Sequence, residues 1–484
     1  MMRLPMILAL LLVPLPARAK DAMQAQVEAV LREVGPGTRW GMVVTDLDGT
    51  EIVAINPEGR FVPASNTKLF TTAAAFWTYS ALELDEPDQA ARTSAYLIPQ
   101  GKRPPDVVLI GRGDARLSSA KDCKIDCLAT LADAIAAKTR KVGNVVGDDS
   151  AFEDQRWSPG MSWNNIQNDD GTGVSALSLD KNEAEMRVVP AAKAALPAVP
   201  VVSPYFSLTN LAQTSDGPAS TITFVRMPGS RAVTVMGTIP VTVAEKKLAL
   251  GIDDPADYTA WTFAAMLRAR GVKVFGKAGK QAAGSVDVAT AAALAFAMAA
   301  DDQPVLLPPP LIEDLSIINK QSQNLHAELL LRRIGARSGG LGARGSIEGG
   351  QKVITAMLTQ AGLTPHQFSF SDGSGMSTYN RVASRGVVTF LRWTRAQPWG
   401  ARFQATLPIG GTDGTLSRRF KGTALEGRIF AKTGTLNATN ALAGYFTGAS
   451  GKTLIFAAYA NDVPDDVRAT AVMDKALLLL AGAN

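Results

Sequence analysis

Ser65-Asn66-Thr67-Lys68 and Ser322-Gln323-Asn324 stand 257 positions apart in this chain, and Lys432-Thr433-Gly434-Thr435 lies near its far end. If these motifs serve one site, the fold must join segments from both ends of a 484-residue chain. It must also house a second body between the first two, because a compact domain has no use for so long a connection. Each motif alone is weak. Ser-x-x-Lys recurs as Ser118-Ser119-Ala120-Lys121 and Ser178-Leu179-Asp180-Lys181, and Ser-x-Asn as Ser162-Trp163-Asn164, whereas Lys-Thr-Gly occurs once. Order, spacing and the surrounding elements single out the set.

Both ends read as strands. Arg39 to Leu47 and Glu51 to Ile55 are β-rich, with a hairpin turn at Asp48-Gly49. Arg428 to Leu436, Leu442 to Thr447 and Thr453 to Ala460 are three more β-prone runs, the last two separated by Gly448-Ala449-Ser450-Gly451. They predict one antiparallel five-stranded sheet closed by both chain ends and covered by helices, including Ala471 to Leu480, in an α+β fold. A helix is predicted from Thr67 to about Leu82, which puts Ser65 at a helix N-terminus and Lys68 one turn on. The middle is rich in Val, Ala, Gly and Pro. It carries β-like runs at Asp106 to Ile110, Arg187 to Val189, Ser220 to Val225, Arg231 to Thr238 and Val272 to Phe275, with a helix at Tyr258 to Arg270. Pro304 to Pro310 reads as the return. The division expected is a catalytic domain split over 20–88 and 308–484, with a mostly-β insertion over 89–307.

Composition is that of a globular protein, 46% hydrophobic and 19% charged, and the net charge of +5 is spread out. No Lys/Arg run marks a nucleic-acid face. Arg3, the apolar stretch Leu4 to Leu15 and Ala17-Arg18-Ala19 make residues 1–19 a signal peptide, with the mature chain starting near Lys20 outside the cytoplasm. An uncleaved anchor is the alternative, although the stretch is too short to span a bilayer. An exported chain favours a disulfide between Cys123 and Cys127, against two buried thiols on a helix. With two cysteines and two histidines, His326 and His366, neither a structural zinc site nor a Ser-His-Asp triad is expected.

A serine hydroxyl needs a base before it is a useful nucleophile. With no usable histidine, a neutral Lys68 is the base for Ser65. Burial would depress its pKa, and the cations Lys320 and Lys432 are expected to act in the same direction. Ser322 can relay protons between Lys68 and a leaving amine, and Asn324 can hold a substrate amide. Lys432, Thr433 and Thr435, with Gly434 between them, form a dock for a terminal carboxylate. The backbone N–H groups of Ser65 and Thr435 are the oxyanion donors. Each residue has a plainer reading: Ser65 as a helix N-cap, Asn324 as a polar helix residue, Lys432 as a solvated charge on an edge strand. Those readings do not explain why all three motifs occur in order.

Ser-x-x-Lys, Ser-x-Asn and Lys-Thr-Gly together are the signature of penicillin-binding proteins and serine β-lactamases. The chain further resembles the class C low-molecular-mass penicillin-binding proteins, the penicillin-binding protein 4 type D-alanyl-D-alanine carboxypeptidase/endopeptidases. The likeness rests also on Asp372-Gly373-Ser374-Gly375-Met376-Ser377, on Leu407-Pro408-Ile409-Gly410-Gly411-Thr412-Asp413-Gly414-Thr415, on Ser175-Ala176-Leu177-Ser178-Leu179 and on Gly111-Arg112-Gly113-Asp114. It implies domains II and III nested within the catalytic domain, III inside II. It also implies hydrolysis of the D-Ala-D-Ala bond of peptidoglycan stem peptides and of the D-Ala–diaminopimelate cross-link. The route is a Ser65 acyl-enzyme, needing no metal or cofactor and open to acylation by β-lactams. It implies an exported, periplasmic protein, soluble or loosely membrane-associated, with no integral membrane span. In that family an Asp of the second domain and an Arg contact the diaminopimelate side chain. Asp148 matches the first; at the second position this chain has Thr378, with Arg381 three residues later. A serine β-lactamase or esterase, and a non-catalytic wall-binding scaffold, are the competing readings.

Overall fold

The computed structural model describes residues 15–280, 304–340 and 342–484. Most of the expected signal peptide lies outside them. The chain packs into two compact units. The first comprises the chain up to Asn66 with Ala361–Phe368 and Arg381–Asn484; the second comprises Thr67–Gln360 and Ser369–Asn380.

In the first unit, helix α1 (Leu15–Leu31) precedes strands β1 (Arg39–Thr45) and β2 (Glu51–Ile55). The hairpin between the strands forms at the expected turn, where Asp46 Oδ1 accepts from the amides of Gly49 and Thr50 at 3.1 and 2.8 Å. The strands Ile429–Leu436, Thr439–Thr447 and Thr453–Asn461 complete a five-stranded sheet. Thr453–Asn461 is central, and β1 pairs with it antiparallel, from Arg39 opposite Asn461 to Thr45 opposite Ile455. As predicted, both chain ends build one sheet. The run from Leu454 to Asn461 is buried on both faces, which explains why it reads as continuous apolar sequence rather than alternation. Val27 and Leu31 of α1 pack with Met473, Leu477 and Leu480 of the C-terminal helix (Ala469–Ala483) and with Met42, Phe446 and Phe456 of the sheet. At about 25 cal/mol per Å² of buried apolar area, this cluster supplies much of the unit's stability.

The second unit opens with helix α2 (Thr67–Thr78), which ends earlier than the sequence predicts because Ser80 caps a new short helix, Ala81–Asp85. By packing, α2 belongs with the helices Asn324–Ser338 and Ile347–Gln360 and with the residues between. Those two helices cross at a glycine contact: a Cβ on Gly335 would stand 2.6 Å from the Gly350 amide nitrogen. Thr93–Gln100 and Arg103–Ile110 form a hairpin in a second five-stranded sheet, where Arg103–Ile110 also pairs in parallel with Val145–Asp148. The returning strand, Val305–Leu306, lies antiparallel to Thr93–Gln100, so the intervening body starts and ends on adjacent strands. Between Val145–Asp148 and Ala278–Lys280 the chain makes two further three-stranded sheets, within residues 183–251. Cys123 and Cys127 are joined as a disulfide, with Cα atoms 5.7 Å apart, just before the helix Leu128–Lys138. Among the described residues no helix is long and apolar enough to cross a membrane, and none group as a metal site.

Candidate active site

The first motif spans the division between the units: Ser65 and Asn66 belong to the first, Thr67 and Lys68 to the second.

In the first unit, Ser65 sits in a 3-10 turn, Ala64–Asn66, entered through Ala64 at φ 47°. A non-glycine residue in the left-handed region is uncommon and marks a backbone held by its surroundings. What holds it is the Lys432 strand. Asn66 Nδ2 donates to the Lys432 carbonyl at 2.8 Å, and Tyr459 Oη donates to Asn66 Oδ1 at 3.2 Å. Gly434 lets the turn and strand touch, since a Cβ there would stand 2.6 Å from the Pro63 carbonyl oxygen. Ser65, Lys432, Thr433, Gly434 and Thr435 are thus gathered in one place.

The Lys432 strand is an edge strand. Ala431 N–H donates to Pro408 O and Ile429 C=O accepts from Gly410 N, so the amides of these residues point away from the neighbouring strand. The register stays regular to Leu436, and strand periodicity of two turns the amides of Thr433 and Thr435 to the same open side. That is the direction an oxyanion donor at Thr435 requires. Lys432 is fully buried, with Nζ donating to the Thr433 carbonyl at 3.0 Å, and so is no solvated edge charge. Thr433 Oγ1 lies 2.7 Å from Thr415 Oγ1, which brings in the Leu407 to Thr415 run.

In the second unit Lys68 is fully buried on α2. Its Nζ donates to Asn324 Oδ1 at 2.7 Å and to the Ser374 carbonyl at 2.6 Å. Asn324 begins its helix behind Gln323, whose side chain accepts from the Leu325 amide. A π-helical turn, Ile317–Gln321, precedes it, and Ser322 stands at the join in the left-handed region, φ 61°. Both features recur at functional sites.

Burial pulls the Lys68 pKa down to about 8. The charges acting most on it are the carboxylates of Asp372, Glu328 and Asp170, which oppose the fall. The expected desolvation is the largest cause, and it acts against three carboxylates that the sequence reading did not place near this amine.

Asp148 lies elsewhere. It ends a strand, accepts from the Ser150 amide at 2.8 Å, and lines a cavity of about 590 Å³ with Arg112, Arg333, Arg337 and Arg344. Among the described residues, two acids of the intervening body meet the motif: Glu183, which accepts from Gln323 Nε2 at 3.5 Å, and Asp170. Asn324 Nδ2 donates to its carbonyl at 3.1 Å and approaches its Oδ1 at 3.4 Å. Sequence reasoning missed both, for nothing at Asp169-Asp170 announces a partner 154 positions away. Thr378 is tied to Gly160, its N–H and Oγ1 both donating to that carbonyl. Arg381 belongs to the first unit, on a short strand beside Arg60, and it feels the charges of Arg60 and Arg39.

The profile of the D-Ala-D-Ala carboxypeptidase 3 (S13) family matches residues 23–481. The chain is 30% identical over 448 residues to a D-alanyl-D-alanine carboxypeptidase of Actinomadura sp. (strain R39), a match covering 89% of this chain and 79% of the relative. It is 24% identical over 450 residues to the D-alanyl-D-alanine carboxypeptidase DacB of Haemophilus influenzae, covering 90% and 88%. The crystal structure of penicillin binding protein 4 from Haemophilus influenzae matches with a TM-score of 0.77 at 20% identity, covering 93% of this chain and 98% of that one. The same protein complexed with a novel β-lactam matches at 0.70. At that identity the structural likeness is one of fold.

Proposed function

The chain belongs to the D-Ala-D-Ala carboxypeptidase 3 (S13) family, and from that premise we propose that it cleaves peptidoglycan stem peptides and their cross-links through an acyl-enzyme on Ser65. It is a serine-type hydrolase, a D-alanyl-D-alanine carboxypeptidase with endopeptidase capacity on cross-linked strands. The observation that carries the residue assignment is the state of Lys68. A neutral amine has two N–H bonds and one lone pair; Asn324 Oδ1 and the Ser374 carbonyl take the two N–H bonds. In this reading the neutral amine's lone pair takes the Ser65 proton, and burial keeps a useful fraction of the amine in that form.

In this reading Ser65 Oγ attacks the carbonyl of the penultimate D-Ala. The N–H groups of Ser65 and Thr435 hold the oxyanion. Lys432, Thr433 and Thr435 receive the terminal carboxylate across the glycine step at Gly434. Ser322 passes the proton taken by Lys68 to the departing amine, and water then hydrolyses the ester. A β-lactam enters the same path and stops at the ester. We propose that residues 20–88 and 308–484 carry this chemistry and that 89–307 form the inserted domains. We place the protein outside the cytoplasm, a location that suits the Cys123–Cys127 disulfide.

The test is intact-mass analysis after incubation with benzylpenicillin, beside Ser65→Ala. A lasting adduct on the wild type and none on the variant is the expected result. Rapid turnover of penicillin without an adduct makes the protein a β-lactamase, and neither adduct nor turnover makes it a scaffold.

A further inference from the structure

One of the groups that hold Lys68, the Ser374 carbonyl, lies on a segment held by two buried acids. Resting on the assignment of Lys68 as the base of Ser65, we propose that Glu328 and Asp372 are positioning residues. They aim the Ser374 carbonyl at the Lys68 amine and set how tightly that amine keeps its proton.

Asn324, Glu328 and Arg332 recur at four-residue steps on one helix and share a face. Glu328 Oε1 accepts from the amides of both Gly373 and Ser374 at 2.9 Å, and its Oε2 accepts from Arg332 Nη1 at 2.8 Å. Asp372 Oδ1 accepts from the Gly375 amide at 2.9 Å and from Asn380 Nδ2 at 2.6 Å. Its Oδ2 accepts from the Ser377 amide at 2.6 Å.

Peptide geometry turns these bonds into a direction. Across a trans peptide the C=O and the following N–H point opposite ways. Pinning the Gly375 N–H on Asp372 therefore sends the Ser374 carbonyl the other way, where Lys68 Nζ meets it at 2.6 Å. Pinning the Ser374 N–H on Glu328 likewise sends the Gly373 carbonyl to Thr71 Oγ1 on α2, which donates to it at 2.7 Å. The segment from Asp372 to Ser377 is thus stitched to two helices, and one acid controls each of its inward carbonyls.

The charges follow the same arrangement. Glu328, Asp372 and Asp170 face Lys68 as anions, Arg332 offsets Glu328, and Lys320 lies on the turn before Ser322. The two acids are nearly solvent-free, as is Lys68 itself. Burial and its neighbour Glu328 push Asp372 up to about 6, so it is mostly ionised at neutral pH. Together the acids oppose a desolvation that would otherwise carry Lys68 lower.

The experiment is the pH dependence of benzylpenicillin acylation for the wild type, Glu328→Gln, Asp372→Asn and Glu328→Asp, with thermal melts to confirm folding. Gln keeps an acceptor oxygen for Gly373 and Ser374 but removes the charge and turns an NH2 group toward Arg332, which loses that acceptor, so the hold on the segment loosens. The neutral variants are expected to shift the acid limb to lower pH, with at least a threefold gain in the fraction of plateau rate reached at pH 7. Their plateau is expected to fall about tenfold as the carbonyl loses its aim. Glu328→Asp keeps the charge and shortens the reach, so its plateau should fall with the midpoint unmoved. The exposed Glu348→Gln is the control of equal charge change and should leave the profile as it is. If the wild type acylates with a titrating limb and folded Glu328→Gln and Asp372→Asn keep its midpoint, the acids only stabilise the fold and the inference is overturned. A wild type that takes no adduct on Ser65 instead defeats the assignment beneath it. If Asp372→Asn does not fold, the two Glu328 variants decide the question.

Discussion

A lysine with its ordinary midpoint of 10.5 is a free amine in about one molecule in 3,000 at pH 7, and one at about 8 in about one in ten. That difference separates an inert ammonium from a working base, and in Lys68 it comes from burial. Acylation by benzylpenicillin should therefore rise across pH 7 to 9 with a midpoint near 8; a rate that is flat there would assign the base elsewhere. Lys68→Met should lower the rate at least 1,000-fold at every pH, because the proposed base for Ser65 is gone. Stability carries the same signature. The folded midpoint lies below the unfolded one, so between about pH 8 and 10.5 the unfolded chain binds more protons and folding grows more favourable as pH rises. Denaturant melts at pH 7.5 and 9.5 should show the wild type gaining on Lys68→Met over that interval. Equal changes in the two proteins would contradict the shifted midpoint.

At the scale of elements, the contact between the Ser65 turn and the Lys432 strand depends on one missing side chain. Gly434→Ala would drive a Cβ to 2.6 Å from the Pro63 carbonyl oxygen and 3.3 Å from the Ala64 Cβ. Neither atom belongs to a flexible side chain, so turn and strand must separate. The expected loss is about 1–3 kcal/mol of stability. Because Ser65 is displaced from the Thr435 amide, acylation should fall about 100-fold, more than the stability change explains. Parallel melts and acylation rates give the comparison. This strand was legible in sequence, as were the other four of its sheet, because β-prone runs and turn residues write themselves locally. The bond from Lys68 to the Ser374 carbonyl spans 306 positions, and that from Asn324 to Asp170 spans 154. No periodicity records such pairs. Asp372-Gly373-Ser374-Gly375 was legible only as an element of the family resemblance, with no sign that the Ser374 carbonyl meets the base. The carboxylates around Lys68 were missed for the same reason: they come from other elements of the chain, distant in sequence from the motif.

For the whole chain, the governing fact is that β1 finds its partner strand 422 positions later, Arg39 against Asn461. The central strand cannot be paired on both sides until nearly all of the chain exists. Contacts of such separation fold slowly, because loop closure comes before any stabilising contact is made. The last helix then seals the sheet: Met473, Leu477 and Leu480 are almost wholly buried against α1 and the strands. Leu480→Ala alone should cost about 2–5 kcal/mol through the cavity it leaves. Deleting 469–484 would bare Val27, Leu31 and Phe456 together, a loss larger than the stability of most domains. The Lys432 strand belongs to the same sheet, so the truncated chain should take no benzylpenicillin adduct at any temperature at which the full chain does. Leu480→Ala should take it normally when cool and lose it at a lower temperature than the wild type. An adduct formed at the wild-type rate by the truncated chain would mean that the sheet closes without its last helix.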